Sequence, residues 1–161
     1  MSNSMKQGLL IALVMLLSVT AGVWFYKYSQ TDFETLQGEQ YKWRDLKGDW
    51  VIINYFAPWC APCLREMPEL HQLNKNLPPK THLFAINYDV LPVSDLQVMM
   101  NKFEITLNVI MANEETHLPI SKPPYLPATY IIGPEGQVRA EILGEVTADI
   151  LTDKIHELQS L

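Results

Sequence analysis

The stretch VIINYFAPWCAPCLREMPEL, residues 51–70, carries the only two cysteines of the 161-residue chain, Cys60 and Cys63. Its first seven residues, VIINYFA (51–57), are apolar, β-branched or aromatic except for Asn54, the pattern of a strand buried on both faces. Beyond the cysteines, apolar residues recur at Leu64, Met67, Leu70, Leu73 and Leu77, which is helical spacing. HLFAINY (82–88) reads as a second buried strand. Strand, helix and strand in this order predict a parallel, right-handed crossover, with the cysteines at the start of its helix.

Three chemistries compete for such a pair. Zinc needs four ligands, and the histidines (His71, His82, His117 and His156) are scattered, with no second pair at clip spacing. A structural disulfide across two intervening residues closes a tiny loop and constrains little of the unfolded chain. A redox pair remains. Cys-x-x-Cys after a strand and at a helix start is what thiol exchange needs. The helix dipole and free N–H groups stabilise a Cys60 thiolate, and Cys63, one turn on, is placed to resolve a mixed disulfide. Pro62 fits the first helical turn, where a missing N–H costs nothing.

Outward from this unit, SDLQVMMNKFEI (94–105) predicts a helix capped by Ser94, and a short strand is expected near 107–111. A Pro-rich loop, HLPISKPPYLP (117–127), precedes ATYII (128–132) and QVRAEIL (137–143), two strands joined by GPEG as a hairpin. TADILTDKIHELQ (147–159) closes the chain as an amphipathic helix capped by Thr147. The order predicts a mixed sheet with helices on both faces. Trp43 and Trp50 are expected to pack against it, and Met67, Met99 and Met100 to fill the core rather than bind copper.

The amino-terminal part is different in kind. No charged residue lies between Lys6 and Lys27, and the run ends in Trp24, Phe25, Tyr26 and Tyr28. At 1.5 Å per residue, a helix over this segment matches a hydrocarbon core of about 30 Å, with aromatics at the interface. The small residues of VTAG (19–22) allow a cleaved signal peptide. The apolar character continues past them, which favours an uncleaved anchor. Residues 1–28 are therefore read as the anchor, 29–37 as a polar linker and 38–161 as the globular domain, outside the cytoplasm. Without Lys6 and Lys27 the remainder holds 10 Lys and Arg against 18 Asp and Glu, which argues against nucleic acid as a partner.

VIINYFAPWCAPCLREMPEL, YLPATYIIGPEGQV, LKGDWVIINYF and FAINYD together resemble the thioredoxin superfamily, and within it the membrane-anchored TlpA/ResA/CcmG-like branch. The resemblance spans about residues 38–160 and implies an α/β thioredoxin fold, a mixed central sheet flanked by helices. It implies Cys60 as exposed nucleophile and Cys63 as buried resolving thiol. Trp59 would flank the nucleophile, and Leu126 and Pro127 would bind substrate, Pro127 as a cis proline facing the pair. Pro119, Pro123 and Pro124 are alternatives, but only Pro127 leads directly into a strand. Pro68 matches the helix-kinking proline, the plain alternative being a break between two short helices. Thioredoxins of the cytosol carry an aspartate six residues before the first cysteine, where this chain has Asn54. The extracytoplasmic branch instead resembles this chain in Glu66, three residues after Cys63, placed to accept its proton and raise thiol pKa values. The plainer reading of Glu66 is a solvated carboxylate paired with Arg65.

What the branch implies is a single-pass protein of the bacterial inner membrane, held by residues 8–26, with its domain in the periplasm. Its partners are disulfide-bearing proteins, often apocytochrome c, and an integral-membrane thiol donor; no cofactor is implied. An oxidase or isomerase of opposite polarity and a copper metallochaperone are the competing readings. A peroxidase-type site calls for Thr or Ser where this chain has Ala57. A reducing pair is expected, because Ala61-Pro62 offers no charge to acidify Cys60 and Glu66 opposes its ionisation.

Overall fold

The structure, a computed structural model, describes residues 3–160, so residues 1, 2 and 161 at the ends of the expected anchor and domain lie outside it, as do the side chains of residues 3–5, 9 and 27. The chain divides into two compact units, Met1–Thr31 and Asp32–Leu161. The first is one helix, α1 (Asn3–Ser29). Its segment Lys6–Tyr26 is long and apolar enough to cross a membrane. Its apolar side chains from Leu10 to Phe25 are exposed, and near its end the rings of Trp24 and Tyr28 stack at 5.3 Å. A helix apolar on every side has no polar face to turn to water.

The second unit opens with two short antiparallel strands, β1 (Phe33–Glu34) and β2 (Gln40–Tyr41). They precede the order β3 (Trp50–Phe56), α2 (Ala61–Lys75), β4 (Thr81–Asn87), α3 (Val93–Lys102), β5 (Asn108–Ile110), β6 (Ala128–Ile132), β7 (Val138–Leu143) and α4 (Ala148–Gln159). Five strands make one mixed sheet in the order β5-β4-β3-β6-β7. β3 is fully buried at its centre, parallel to β4 and antiparallel to β6. The β6–β7 hairpin turns at Gly136, whose φ of +83° suits a residue without Cβ.

Two buried layers cover the sheet. One joins Ile52 and Phe56 of β3 to Met67 and Leu70 of α2, Met99 and Met100 of α3, and Leu151 and Ile155 of α4. The other joins Val51, Ile53 and Tyr55 to Phe33, Leu46, Phe84 and Ile132. Among the described residues no helix contributes to this second layer, so the expected helices on both faces become helices on one. The topology explains it: β3→α2→β4 and β4→α3→β5 step along the sheet in the same direction, so right-handed crossovers put both helices on one side.

The second face is closed by residues 32–46, which corrects the reading of 29–37 as a linker. Phe33 is 2% exposed and stacks on Tyr41 at 5.1 Å, with Trp43 at 5.4 Å and Phe84 edge-on at 5.2 Å. Thr35 bridges to Ile110, Leu36 N–H donates to Val109 O, and the Gln37 side chain bonds the backbone of Leu107 and Val109. These contacts satisfy the edge of β5, which would otherwise expose unpaired backbone groups. Polar spacing hid the segment because an edge cover needs few apolar side chains.

The two expected caps differ. Thr147 accepts from the Ile150 N–H and caps α4. Ser94 does not cap α3: the N-cap is Pro92, two residues earlier, the helix starts at Val93, and the Ser94 hydroxyl turns to Asp95.

Candidate active site

The strand β3 runs directly into the turn that carries Cys60, the N-cap of α2, with Pro62 in the first turn. Cys60 and Cys63 form a disulfide, S–S 2.00 Å. The Cys63 N–H also donates to Cys60 Sγ at 3.3 Å. Such a bond and the positive end of the helix both favour negative charge on that sulfur when the bridge opens. Cys60 is 5% exposed and Cys63 is fully buried. The expectation of an exposed Cys60 is thus corrected for the disulfide form, in which Cys60 belongs to the helical layer. Cys60 is the less buried of the two.

The exposed side chain beside the bridge is Trp59, at 62%. It is held nonetheless: its indole N–H donates to Asp89 at 2.7 Å, and its ring meets Tyr88 edge-on at 5.9 Å. Lys122 Nζ sits 3.7 Å over the Tyr88 ring. Sequence reasoning missed Tyr88, Asp89 and Lys122, which had no motif to mark them. Between Trp59 and α3 lies a groove of about 480 Å³, walled by Leu91, Val98, Met99 and Phe103.

The Leu126–Pro127 peptide bond is cis. Pro127 is buried, Leu126 half-buried, and Ala128 pairs with Tyr55 in the β3–β6 register. Pro127 therefore flanks the same end of β3 from which the cysteine turn departs. Pro68 lies inside an unbroken α2, so no break between two short helices occurs there.

Glu66 faces inward, 2% exposed, and the solvated reading fails. Its Oε1 accepts from Asn54 Nδ2 at 2.8 Å and its Oε2 from the Val146 N–H at 3.0 Å. Asn54 Nδ2 also donates to Thr129 Oγ1 at 3.1 Å. Arg65 pairs with Glu145 and not with Glu66. Burial pushes the Glu66 carboxyl up to about 7, with Glu145 adding to the rise and the bonds from Asn54 and Val146 resisting it. Asn54 of β3 and Val146 before α4 both bond one helical carboxyl, three residues after Cys63, and Thr129 of β6 bonds Asn54 in turn. Met67, Met99 and Met100 are buried in the helical layer, and among the described residues no cluster of His, Cys, Asp or Glu is placed to hold a metal.

The chain is similar to thioredoxin-like protein YneN of Bacillus subtilis, 26% identical over 160 residues, covering 90% of this chain and 94% of that protein. It is also 26% identical over 121 residues to thiol-disulfide oxidoreductase ResA of Bacillus subtilis, covering 74% of this chain and 67% of that protein. Among solved structures, the exposed lipoprotein thioredoxin Etrx1 of Streptococcus pneumoniae superposes with a TM-score of 0.69 at 18% identity, covering 78% of this chain and 96% of that one. The family model described as AhpC/TSA matches residues 27–141. That match spans well over half of the chain, and with a thioredoxin-like fold built around a helix-capping cysteine pair the protein belongs to the AhpC/TSA family, as a thiol–disulfide oxidoreductase.

Proposed function

We propose that this protein is a membrane-tethered, extracytoplasmic reductant of disulfides in substrate proteins. The observation that carries the reductive polarity is the Glu66 carboxyl, buried on α2 one turn from Cys63 and bonded to Asn54 and Val146. A strong oxidant owes its potential to a very stable thiolate. A carboxylate in the low-dielectric layer beneath the pair opposes that charge.

In the reaction the Cys60 thiolate attacks one sulfur of a substrate disulfide, forming a mixed disulfide and releasing one substrate thiolate. Cys63 passes its thiol proton to the Glu66 carboxylate and attacks Cys60 Sγ. The Cys60–Cys63 disulfide forms, the second substrate thiolate leaves, and both leaving thiolates are protonated from solvent or Glu66. Two electrons pass from the pair to the substrate. Trp59, Leu126 and Pro127 border the sulfur as the surface that receives the substrate chain. Residues 8–26 act as the tether in the bacterial inner membrane, with residues 29–31 leading to a domain that starts at Asp32 in the periplasm. In that oxidising compartment an integral-membrane thiol donor returns the pair to the dithiol. Apocytochrome c cysteines before haem attachment are the substrates the family resemblance points to.

The test is equilibration of the full chain in detergent with glutathione buffers. The expected potential lies nearer the roughly −270 mV of thioredoxin than the roughly −120 mV of a strong oxidant. A pair still reduced in mildly oxidising buffer would make the protein an oxidase or isomerase.

A further inference from the structure

Each oxygen of the Glu66 carboxyl meets a donor, Asn54 Nδ2 on Oε1 and the Val146 N–H on Oε2. That suits a carboxylate, which only accepts. A neutral carboxyl carries an O–H, and a proton set between either oxygen and its present partner opposes two donors. The Val146 N–H belongs to the backbone and cannot turn away. The Asn54 amide can, because its oxygen and nitrogen are nearly isosteric and a half-turn exchanges acceptor for donor without displacing a neighbour. Asn54 is wholly buried, and its Oδ1 has no hydrogen-bond partner. Thr129 lies directly opposite in the β3–β6 register with its hydroxyl 3.1 Å from the amide nitrogen. A hydroxyl donates as readily as it accepts.

We infer that Asn54 is a positioning residue that holds Glu66 in both protonation states by rotating its amide, the Thr129 hydroxyl turning with it. With Glu66 ionised, Nδ2 donates to Oε1 and to Thr129. With Glu66 protonated, Oδ1 accepts from the Glu66 O–H and from the Thr129 O–H. Counting the bond from Val146, the network keeps the same number of hydrogen bonds either way. The inference rests on the proposed role of Glu66 as carrier of the Cys63 proton: the carboxyl takes up that proton and returns it without losing its place.

The charged and titratable groups around Glu66 leave it as the one the amide answers to. On α2, Cys63 is bonded to Cys60, Arg65 is paired with Glu145, and Glu69 accepts from the Ala148 N–H at 3.0 Å. The segment before α4 brings Glu145, and β3 and β6 bring Asn54 and Thr129, which do not titrate. Burial raises Glu66 to about 7, so both states are populated near neutrality.

The experiment is NMR of the isotope-labelled full chain in detergent, held in the disulfide form, from about pH 5 to 9. Above the midpoint of the Glu66 carboxyl carbon, the Asn54 side-chain amide protons should show strong NOEs to Thr129 and Glu66. Below it those NOEs should vanish with the same midpoint, and in Glu66→Gln the pattern should stop depending on pH. NOEs that persist through the midpoint would place the proton on a free lone pair with Asn54 as a fixed prop, and a carboxyl that never titrates in this range would leave nothing to answer to; either overturns the inference. No exchange occurs in the disulfide form, so this failure would leave the exchange reaction standing, and an inactive protein in the exchange assay would leave the NOE result standing.

Discussion

The two faces of the sheet share β3 and divide its work. Residues 52, 54 and 56 point to the helical layer, where the disulfide, Glu66 and Asn54 lie; residues 51, 53 and 55 point to a layer built from Phe33, Leu46, Phe84 and Ile132. The alternation of a strand makes this possible, since adjacent side chains leave on opposite faces. The helical face carries the disulfide together with a buried carboxyl and a buried amide bonded to each other. The other face is aromatic and aliphatic, and the segment that closes it also covers the β5 edge. One face holds the disulfide and the buried carboxyl; the other holds the strand that presents them.

The sharpest way to break this division is at the cysteines. Cys60→Ser should abolish reduction of a disulfide substrate, a loss of at least ~10³-fold given how little exchange a hydroxyl supports. Cys63→Ser should instead accumulate a mixed disulfide with substrate, visible by non-reducing electrophoresis. Full activity in either variant would remove the helical face from the chemistry.

On the opposite face, Phe33→Ala should cost about 3 kcal/mol of stability through the cavity it leaves. The measurement is urea unfolding of the full chain in detergent, paired with its glutathione equilibrium. The reduction potential should stay that of the wild type. A destabilisation under about 0.5 kcal/mol would return residues 32–37 to linker status, and a shifted potential would show that the two faces are coupled.

The mildest probe is Glu66→Gln in the disulfide form. The folded carboxyl binds its proton more tightly than the unfolded one, because burial raises it from 4.5 to about 7. Its stabilising contribution is therefore complete below about pH 4.5 and is lost as pH rises to 7 and beyond. Wild-type stability should fall by roughly 2–3 kcal/mol across that window relative to Glu66→Gln. Thermal unfolding of both proteins from pH 4 to 8 measures it, and a constant gap between them would mean Glu66 titrates like a solvent carboxylate.

Much of the helical face was legible in the residues themselves. A continuous apolar run, a cysteine pair at a helix start and apolar residues at helical spacing are local patterns, set by the periods of strand and helix and by what a helix N-terminus does to a thiol. The hairpin after Pro127 and the Thr147 cap are local in the same way. The caps also show the limit: Ser94 has the composition of a cap, but α3 starts at Val93 with Pro92 as its N-cap, two residues sooner.

Two matters were settled only when distant segments met. Polar residues 29–37 carry no strand pattern, and it was the open edge of β5, some seventy residues away, that drew Thr35 to Gln37 into place. Glu66 admits both a solvated and a functional reading in the sequence, because its partners Asn54 and Val146 lie 12 and 80 positions away along the chain. Local sequence determines which elements form and which atoms can react. The dielectric around a carboxyl, the partners of a buried amide and the cover over an edge strand are properties of long-range packing, so only the tertiary structure decided them.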